Sequence, residues 1–172
     1  VIPRRRIDDI VYAANSQRLG CCLPNHNCID TIEQTMAGVE MRYDCYKLMQ
    51  AQGQDEPTGK AKITSGYHLP ARFVLHTVGP IVQGSLTDEH RRLLASCYES
   101  CLTLAAEHGL KGVAFCCIST GVFRFPKDEA AHIAIRTVRH WLDAHPDASI
   151  ERVVFNVFED ADRRIYENLL NA

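Results

Sequence analysis

The chain has 172 residues, of which 46% are hydrophobic and 23% charged, and its formal net charge is -2. This length suits one compact α/β domain, and the composition is that of an ordinary globular protein. The charge argues against a non-specific nucleic-acid binder, which needs a basic surface. No stretch is apolar enough to cross a bilayer. We therefore expect a soluble monomer that binds neither nucleic acid nor membranes.

The start of the chain and the eight cysteines bear on the cellular compartment. The run Val-Ile-Pro-Arg-Arg-Arg has no apolar core, so it does not predict a signal peptide. An intracellular, cytoplasmic location is the expectation. In that reducing compartment the cysteines are thiols or metal ligands rather than disulfides.

The first half of the chain combines strands with a helical segment. Residues 10–14 are apolar on both faces, which is typical of a short strand inside a sheet that is covered on both sides. The pattern over 30–52 indicates helix, broken at Gly38. Residues 52–59 are polar and contain glycine, which favours a loop. A weaker strand at 60–64 and a stronger one at 72–78 follow.

The second half alternates helices and strands. Thr87 is a candidate N-cap for a long helix that ends at Gly109, and a strand at 113–118 follows it. Another helix starts near Pro126 and stops before Pro146. A strand at 152–158 precedes a last helix that runs from 160 to the C-terminus, with these side chains directed inward: Ile165, Leu169 and Leu170. The alternation predicts one domain over 1–172, a three-layer α/β/α sandwich around a mixed, mostly parallel sheet.

The loop after residue 14 is the first candidate site, because ligands of such sheets bind beyond the carboxyl ends of the strands. It contains Cys21, His26 and Cys28 within eight residues. Zinc favours thiolate and imidazole, and three protein ligands leave one tetrahedral position open, as in catalytic sites. Cys22 is an alternative fourth ligand, although adjacent residues of an extended loop point in opposite directions. The spacing alone also leaves open a metal-free loop with reactive thiols.

The loop over 118–126 is the second candidate site. Ser119, Thr120 and Gly121 stand between a predicted strand and a predicted helix. Successive backbone N–H groups in such a turn, with the N-terminus of the following helix, can bind phosphate oxygens. An ordinary strand-to-helix turn is the alternative for this loop taken by itself.

Other cysteines and histidines are interpreted as structural. Cys97 and Cys101 lie four residues apart on an apolar helix face, and Cys116 and Cys117 fall in a predicted strand, so we expect core packing for these thiols. His76 stands within a strand and is expected to be a hydrogen-bonded core residue.

Several motifs occur in one order along the chain. The most specific is Leu19-Gly20-Cys21 followed by Pro24-Asn25-His26-Asn27-Cys28-Ile29-Asp30. The others are Ala13-Ala14-Asn15-Ser16, Ala37-Gly38, Thr58-Gly59-Lys60-Ala61-Lys62-Ile63-Thr64, Val74-Leu75-His76-Thr77-Val78-Gly79-Pro80, Ser119-Thr120-Gly121-Val122-Phe123 and Phe155-Asn156-Val157-Phe158. With these motifs the sequence resembles the macrodomain family over nearly its whole length, and its zinc-containing branch in particular.

The resemblance implies a pocket for ADP-ribose over the sheet. The diphosphate would be held by Ser119, Thr120, Gly121, Val122 and Phe123, and Phe158 would lie near adenine. Asn15 and Asp30 would act at the distal ribose, beside a zinc ion bound by Cys21, His26 and Cys28. The implied function is zinc-dependent removal of mono-ADP-ribose from modified proteins. Two alternatives remain, a reader that binds ADP-ribose without cleaving it and a structural zinc knuckle.

The sequence departs from the family pattern at several positions. Tyr12 stands where many macrodomains have Asn, and Gln34 where the branch often has His. Arg124 interrupts the usual Phe-Gly-aromatic-Pro run, where a cation would touch phosphate or cover part of the pocket. The aspartate with which many macrodomains select adenine would lie before Val1, so the expectation is a macrodomain without the first strand or strands of the family.

Overall fold

The computed structural model describes residues 9–14, 16 and 28–171. Within them the strands are β1 (Asp9–Ala13), β2 (Ala61–Ser65), β3 (Phe73–Thr77), β4 (Gly112–Phe115) and β5 (Arg152–Phe155). The helices are α1 (Ile29–Ala37), α2 (Val39–Gln52), α3 (Asp88–Glu107), α4 (Lys127–Ala144) and α5 (Asp160–Leu170). No helix of these described segments is long and apolar enough to cross a membrane.

The strands form one mixed, mostly parallel sheet in the order β2-β3-β1-β4-β5. β1 is central and runs parallel to β3 and β4, and β5 runs parallel to β4. Only the pairing of β2 with β3 is antiparallel among the described strands. The carboxyl ends of β1, β4 and β5 therefore meet at one edge of the sheet, as the sequence predicts.

Helices cover both faces of the sheet. Tyr12 of β1 contacts α1 and α2 on one face, where its hydroxyl meets Gln34 and Met41. Phe115 of β4 packs against Tyr98 of α3 on the other face, with ring centroids 4.9 Å apart. α4 packs against α3 and α5 on that same side. The predicted three-layer sandwich is confirmed, and its core lies on both faces of β1 and β4.

Local sequence signals account for the helix ends. The predicted break at Gly38 is confirmed, because its φ of 98° lies in the left-handed region that favours glycine. Thr87 caps α3 through a capping box in which its side chain accepts from the backbone N–H of His90, and the His90 side chain accepts from the backbone N–H of Thr87. Gly109, with φ of 64°, follows the end of this helix.

Two strand predictions extended too far. β4 ends at Phe115 rather than at residue 118, and β5 ends at Phe155 rather than at residue 158. The residue directly after each strand still donates a hydrogen bond to the neighbouring strand, from Cys116 to Val11 and from Asn156 to Phe115, but regular pairing stops there. The apolar run after β4 continues because Cys116 and Ile118 are buried. Cys116 is buried and Cys117 is half-buried just beyond β4, while Cys97 and Cys101 are fully buried as expected.

The inward direction predicted for Leu170 is wrong. Leu170 is 46% exposed, whereas Ile165 and Leu169 pack against the core. Consecutive residues of a helix point about 100° apart, so Leu169 and Leu170 cannot share one narrow apolar face. The prediction for His76 is confirmed, since it is buried and its Nε2 lies 2.7 Å from Thr64 Oγ1.

Candidate functional site

The two candidate loops start side by side. β1 and β4 are parallel neighbours, with Val11 opposite Phe115. The segments that leave β1 and β4 therefore rise from the same edge of the sheet, and β5 adds a third segment there. Clefts at this edge are the usual ligand sites of parallel sheets.

The loop after β4 is held in a defined shape by its own backbone. Ser119 has a φ of 65°, which is uncommon for a residue other than glycine. Its carbonyl accepts a 3.0 Å hydrogen bond from the N–H of Phe125, and the N–H of Arg124 donates a 2.9 Å bond to the carbonyl of Gly121. The Phe123 carbonyl accepts from the N–H of Val82 at 2.9 Å. The first two bonds close the turn on itself, and the third ties it to the segment that follows β3.

Three successive N–H groups of this loop remain available to a ligand. Those of Gly121, Val122 and Phe123 donate no backbone hydrogen bond within the described part of the chain. Gly121 and Val122 are exposed and Phe123 is half-buried, and a Cβ added at Gly121 would meet open space. Adjacent uncommitted N–H groups at the end of a parallel strand form a concave site for an anion.

Ser119 packs directly against Gly79, in the segment that follows β3. A Cβ added at Gly79 would lie 2.1 Å from Ser119 Oγ and 2.8 Å from Cγ2 of Ile118. No side chain at Gly79 fits without displacing the loop. Ser119 is 5% exposed, and its Oγ has no hydrogen-bond partner among the described residues. A buried hydroxyl without a partner at the base of an anion site is a ready donor to a phosphate oxygen.

Lys127 connects the loop after β4 with the segment after β5. It is the first residue of α4, and its Nζ lies 2.6 Å from Glu159 Oε2 and 3.2 Å from Asp162 Oδ2. Glu159 is the N-cap of α5 and directly follows Phe158. Phe158 is 85% exposed, so its ring is available to stack on a planar ligand.

Cys28 is the one predicted metal ligand within the described residues. It caps α1, because its sulfur accepts a 3.4 Å hydrogen bond from the backbone N–H of Thr31. A sulfur at the positive end of a helix dipole is stabilised as a thiolate, the form that binds metals, so this position fits a zinc ligand. Cys21 and His26 lie outside the described residues. Within the described ranges, no three His, Cys, Asp or Glu side chains form a metal site.

Asp30 follows Cys28 in the first turn of α1 and is 3% exposed. Acidic side chains are stabilised in a first helical turn, where the N–H groups point toward them. Asn15, the other predicted catalytic residue, lies outside the described residues. The structure therefore brings Asp30 and Cys28 to the same helix end and leaves the placement of Asn15 a prediction.

Glu33 is a buried acidic residue near the candidate site that the sequence analysis missed. It lies one turn after Asp30 on the inner face of α1 and is 1% exposed. Burial, together with the nearby Asp30 carboxylate, raises the pKa of Glu33 to about 8. The sequence gives no clear signal for this burial, because three of the four buried residues of α1 are polar and only Ala37 is apolar.

Comparison with known proteins gives the family. The Macro domain family model matches residues 11–134. A macrodomain of Oceanobacillus iheyensis, solved with ADP, is 35% identical, covers 97% of this chain and 84% of its own, and has a TM-score of 0.85. A macrodomain of Trypanosoma brucei, solved in complex with ADP-ribose, is 34% identical, with 96% of this chain and 64% of its own covered and a TM-score of 0.81.

Curated relatives add a likeness in sequence. A protein-ADP-ribose hydrolase of Treponema medium is 53% identical over 166 residues, which cover 96% of this chain and 63% of the relative. A protein-ADP-ribose hydrolase of Staphylococcus aureus strain MSSA476 is 53% identical over 167 residues, with 96% and 62% covered. The chain thus spans less than two thirds of the length of these relatives. The family match and the shared fold together show that the chain belongs to the macrodomain family.

Proposed function

We propose that this macrodomain removes mono-ADP-ribose from modified proteins and that the reaction depends on zinc. The observation that carries the proposal is the loop after β4, whose uncommitted N–H groups at Gly121, Val122 and Phe123 suit a diphosphate. This loop shares its sheet edge with the chain that leads to Cys28 and Asp30. The names of the curated relatives, protein-ADP-ribose hydrolases at 53% identity, support the same activity.

ADP-ribose is proposed to bind along the carboxyl edge of the sheet. The backbone of 121–123 and the hydroxyl of Ser119 would hold the diphosphate, with charge support from the N-terminus of α4. The Thr120 hydroxyl instead donates a 3.1 Å hydrogen bond to the carbonyl of Cys117, which helps to shape the loop. The exposed ring of Phe158 would stack on adenine. The distal ribose would then lie toward the N-terminus of α1. Arg124 is exposed in the same loop and has a φ of 58°. Its guanidinium would add to the binding of phosphate.

Zinc is proposed to be held by Cys21, His26 and Cys28. These two sulfurs and one imidazole nitrogen form a donor set that zinc favours, and three protein ligands leave a coordination position for substrate or water. Bound there, the ion supplies a Lewis acid that polarises an oxygen or lowers the pKa of water. Cys28 contributes a sulfur that is already oriented by the backbone N–H of Thr31.

Asn15 and Asp30 are proposed to act at the distal ribose. The amide of Asn15 would hydrogen-bond a ribose hydroxyl and so orient the scissile bond. The Asp30 carboxylate, buried at the start of α1, would accept a proton from the attacking water. Release of ADP-ribose then leaves the target protein unmodified.

One assay tests this proposal against its alternatives. A mono-ADP-ribosylated protein is incubated with the chain, with the chain after chelation, and with the chelated chain after zinc is restored, while free ADP-ribose is measured. Release that is lost on chelation and regained with zinc supports a zinc-dependent hydrolase. Binding of ADP-ribose without release would identify a reader, and unfolding on chelation would identify a structural zinc knuckle.

A further inference from the structure

The ammonium group of Lys127 joins the starts of two helices that flank the candidate site. At the first residue of α4, its Nζ donates hydrogen bonds to Glu159 Oε2 at 2.6 Å and to Asp162 Oδ2 at 3.2 Å. The two carboxylates differ in exposure, because the Asp162 side chain is 8% exposed and the Glu159 side chain 62%. The buried carboxylate fixes the ammonium group, and the ammonium group in turn holds Glu159.

Glu159 uses its carboxylate for this contact and not for its own helix. It is the N-cap residue of α5, yet its side chain accepts no hydrogen bond from the first turn. N-cap side chains commonly accept such a bond, and glutamate is not among the residues preferred at this position. The carboxylate instead reaches a residue that lies 32 positions earlier in the chain. The position of Glu159 is thus determined by α4 rather than by a local cap.

The segment between β5 and α5 is anchored at both ends. At its start, the backbone N–H of Asn156 donates a 2.7 Å hydrogen bond to the carbonyl of Phe115. At its end, Glu159 is held by α4. Only two residues lie between these anchors, and one of them is Phe158, whose side chain is 85% exposed. An exposed aromatic ring on a backbone that is fixed on both sides is preorganised to stack on a planar ligand.

Both anchors attach this segment to the flanks of the loop proposed to hold the diphosphate. Phe115 ends β4 before that loop, and Lys127 begins α4 after it. These two contacts therefore govern the spacing between the backbone of 121–123 and the ring of Phe158. In ADP-ribose a single ribose joins the adenine to the diphosphate, so a site that binds both groups requires a matching spacing.

We propose that the ion pair between Lys127 and Glu159 positions the Phe158 ring to stack on the adenine of ADP-ribose bound through its diphosphate. The inference deepens the proposed function and rests on it, since both subsites belong to that proposal. Lys127 and Glu159 are positioning residues, which act through Phe158 and touch no reacting atom. Because the ion pair is partly exposed, we expect its effect in the affinity for the complete ligand rather than in the stability of the domain.

The test measures the affinity of Glu159→Ala by calorimetry for two probes, ADP-ribose and ribose 5-diphosphate, which lacks the adenosine. The variant keeps the contact between Lys127 and Asp162. ADP-ribose should bind about twofold to tenfold more weakly, the range expected when an aromatic stacking contact is lost. Affinity for ribose 5-diphosphate should not fall. By charge alone, removal of a carboxylate favours an anionic ligand, so charge and positioning predict opposite signs for ADP-ribose.

Glu151→Ala is the matched control. Glu151 also pairs with a lysine, Lys111, at 2.8 Å, and its side chain is 67% exposed. This pair directly precedes β4 and β5, at the opposite edge of the sheet. The variant loses the same charge and a similar contact, and it should bind both probes with an affinity close to that of the parent chain.

Glu159→Gln is the conservative variant, because its amide oxygen still accepts a hydrogen bond from Lys127. It should recover most of the affinity for ADP-ribose that Glu159→Ala loses.

A double-mutant cycle with Phe158→Ala separates positioning from a general effect on the fold. Phe158→Ala alone should weaken the binding of ADP-ribose, because the stacking contact is lost. In that background Glu159→Ala should cause no further loss, since no ring remains to be positioned. A purely structural role of Glu159 would lower the affinity equally in both backgrounds.

Two results overturn the inference. One is unchanged or tighter binding of ADP-ribose by Glu159→Ala, and the other is an additive effect of Glu159→Ala and Phe158→Ala. A parent chain that binds no ADP-ribose refutes the proposed function itself. If the parent chain binds ADP-ribose and Phe158→Ala binds it equally well, the proposed adenine subsite is wrong, and this inference with it.

Discussion

The side-chain amide of Gln34 donates a 3.1 Å hydrogen bond to the hydroxyl oxygen of Tyr12, and neither residue is more than 2% exposed. Both residues differ from those of the family pattern at these positions, and in the structure they are hydrogen-bonded to each other. The bond joins the inner face of α1 to the central strand β1. The Tyr12 hydroxyl also lies 3.5 Å from the Met41 sulfur, which ties the same strand to α2. The two departures thus form one structural unit beneath the candidate site.

The first prediction concerns this pair. Tyr12→Phe should lower the free energy of unfolding by about 1 to 2 kcal/mol, because the Gln34 amide loses a buried acceptor. In the Gln34→Leu background the same substitution should cost about 1 kcal/mol less, since the donor is already gone. Urea denaturation of the four proteins of this cycle gives the coupling. Additive effects would show that the hydrogen bond contributes nothing to stability.

The second prediction separates the two roles of Cys28, helix cap and proposed zinc ligand. Cys28→Ser preserves a side-chain acceptor for the Thr31 N–H but replaces sulfur with a poor zinc ligand, while Cys28→Ala removes both functions. Both variants should lose zinc and ADP-ribose release. Only Cys28→Ala should also lose about 1 kcal/mol of stability, which thermal denaturation of the metal-free proteins would show.

Cys117 provides the control for the cysteine variants. It is half-buried beyond β4, and no proposed role involves its side chain. Cys117→Ser should retain zinc and activity. If Cys28→Ser releases ADP-ribose at the parental rate, the assignment of Cys28 as a zinc ligand needed for activity is wrong.

The third prediction concerns the contact between Gly79 and Ser119. Gly79→Ala places a methyl group against Ser119 Oγ and should push the loop after β4 out of position. We expect a loss of about 1 to 3 kcal/mol of stability, as for other overpacked sites, and at least about tenfold weaker ADP-ribose binding. Adding Ser119→Gly removes the clashing hydroxyl and accepts the left-handed backbone, so part of the stability should return.

That double variant also tests the Ser119 hydroxyl itself. It should recover stability without full recovery of affinity, because it lacks the proposed donor to phosphate. Calorimetry with ADP-ribose and thermal denaturation supply the two readouts. A Gly79→Ala protein that binds as tightly as the parent chain would contradict the role given to this loop.

The fourth prediction is a pH dependence of stability caused by Glu33. The pKa of Glu33 is raised in the folded chain from its ordinary value of 4.5 to about 8. Below pH 4.5 both the folded and unfolded states hold the proton, so the free energy of unfolding is unaffected. Between these values only the unfolded state releases it, so stability falls as the pH rises toward 8 and then levels off.

Glu33→Gln removes this effect because an amide does not titrate. The stability gained by the variant over the parent chain should therefore grow between pH 5 and pH 8, by on the order of 3 to 5 kcal/mol if the carboxyl stays dry. Chemical denaturation of both metal-free proteins across this range measures the difference. A gain that is independent of pH would show that Glu33 ionises normally in the folded chain.

Sequence patterns predicted the three-layer architecture because hydrophobic periodicity indicates which faces of the strands and helices are buried. Burial of these faces determines how the layers stack. The break at Gly38 and the cap at Thr87 follow from local signals. The parallel pairing of β1 with β4 follows from the alternation of strands and helices. The ends of β4 and β5 did not, because a strand stops where its neighbour stops pairing, and no residue of the strand itself encodes that.

The residues of the candidate site were predicted mainly from family motifs and less from physical arguments about the sequence. The Ser-Thr-Gly run indicated a phosphate loop, but its uncommitted N–H groups depend on the turn geometry around Ser119. Glu33 escaped notice because a glutamate on a short helix is normally a solvated residue. Its burial follows from how closely α1 packs on β1 and β4, a tertiary contact that sequence spacing does not reveal.

The central claim is that one zinc ion per chain makes this macrodomain a hydrolase. The most direct measurement is a titration of zinc into metal-free protein while ADP-ribose release from a mono-ADP-ribosylated protein is followed. Activity should be absent at the start, rise in proportion to added zinc, and stop rising at one equivalent. Full activity in the metal-free protein, or none after one equivalent is bound, would contradict the account.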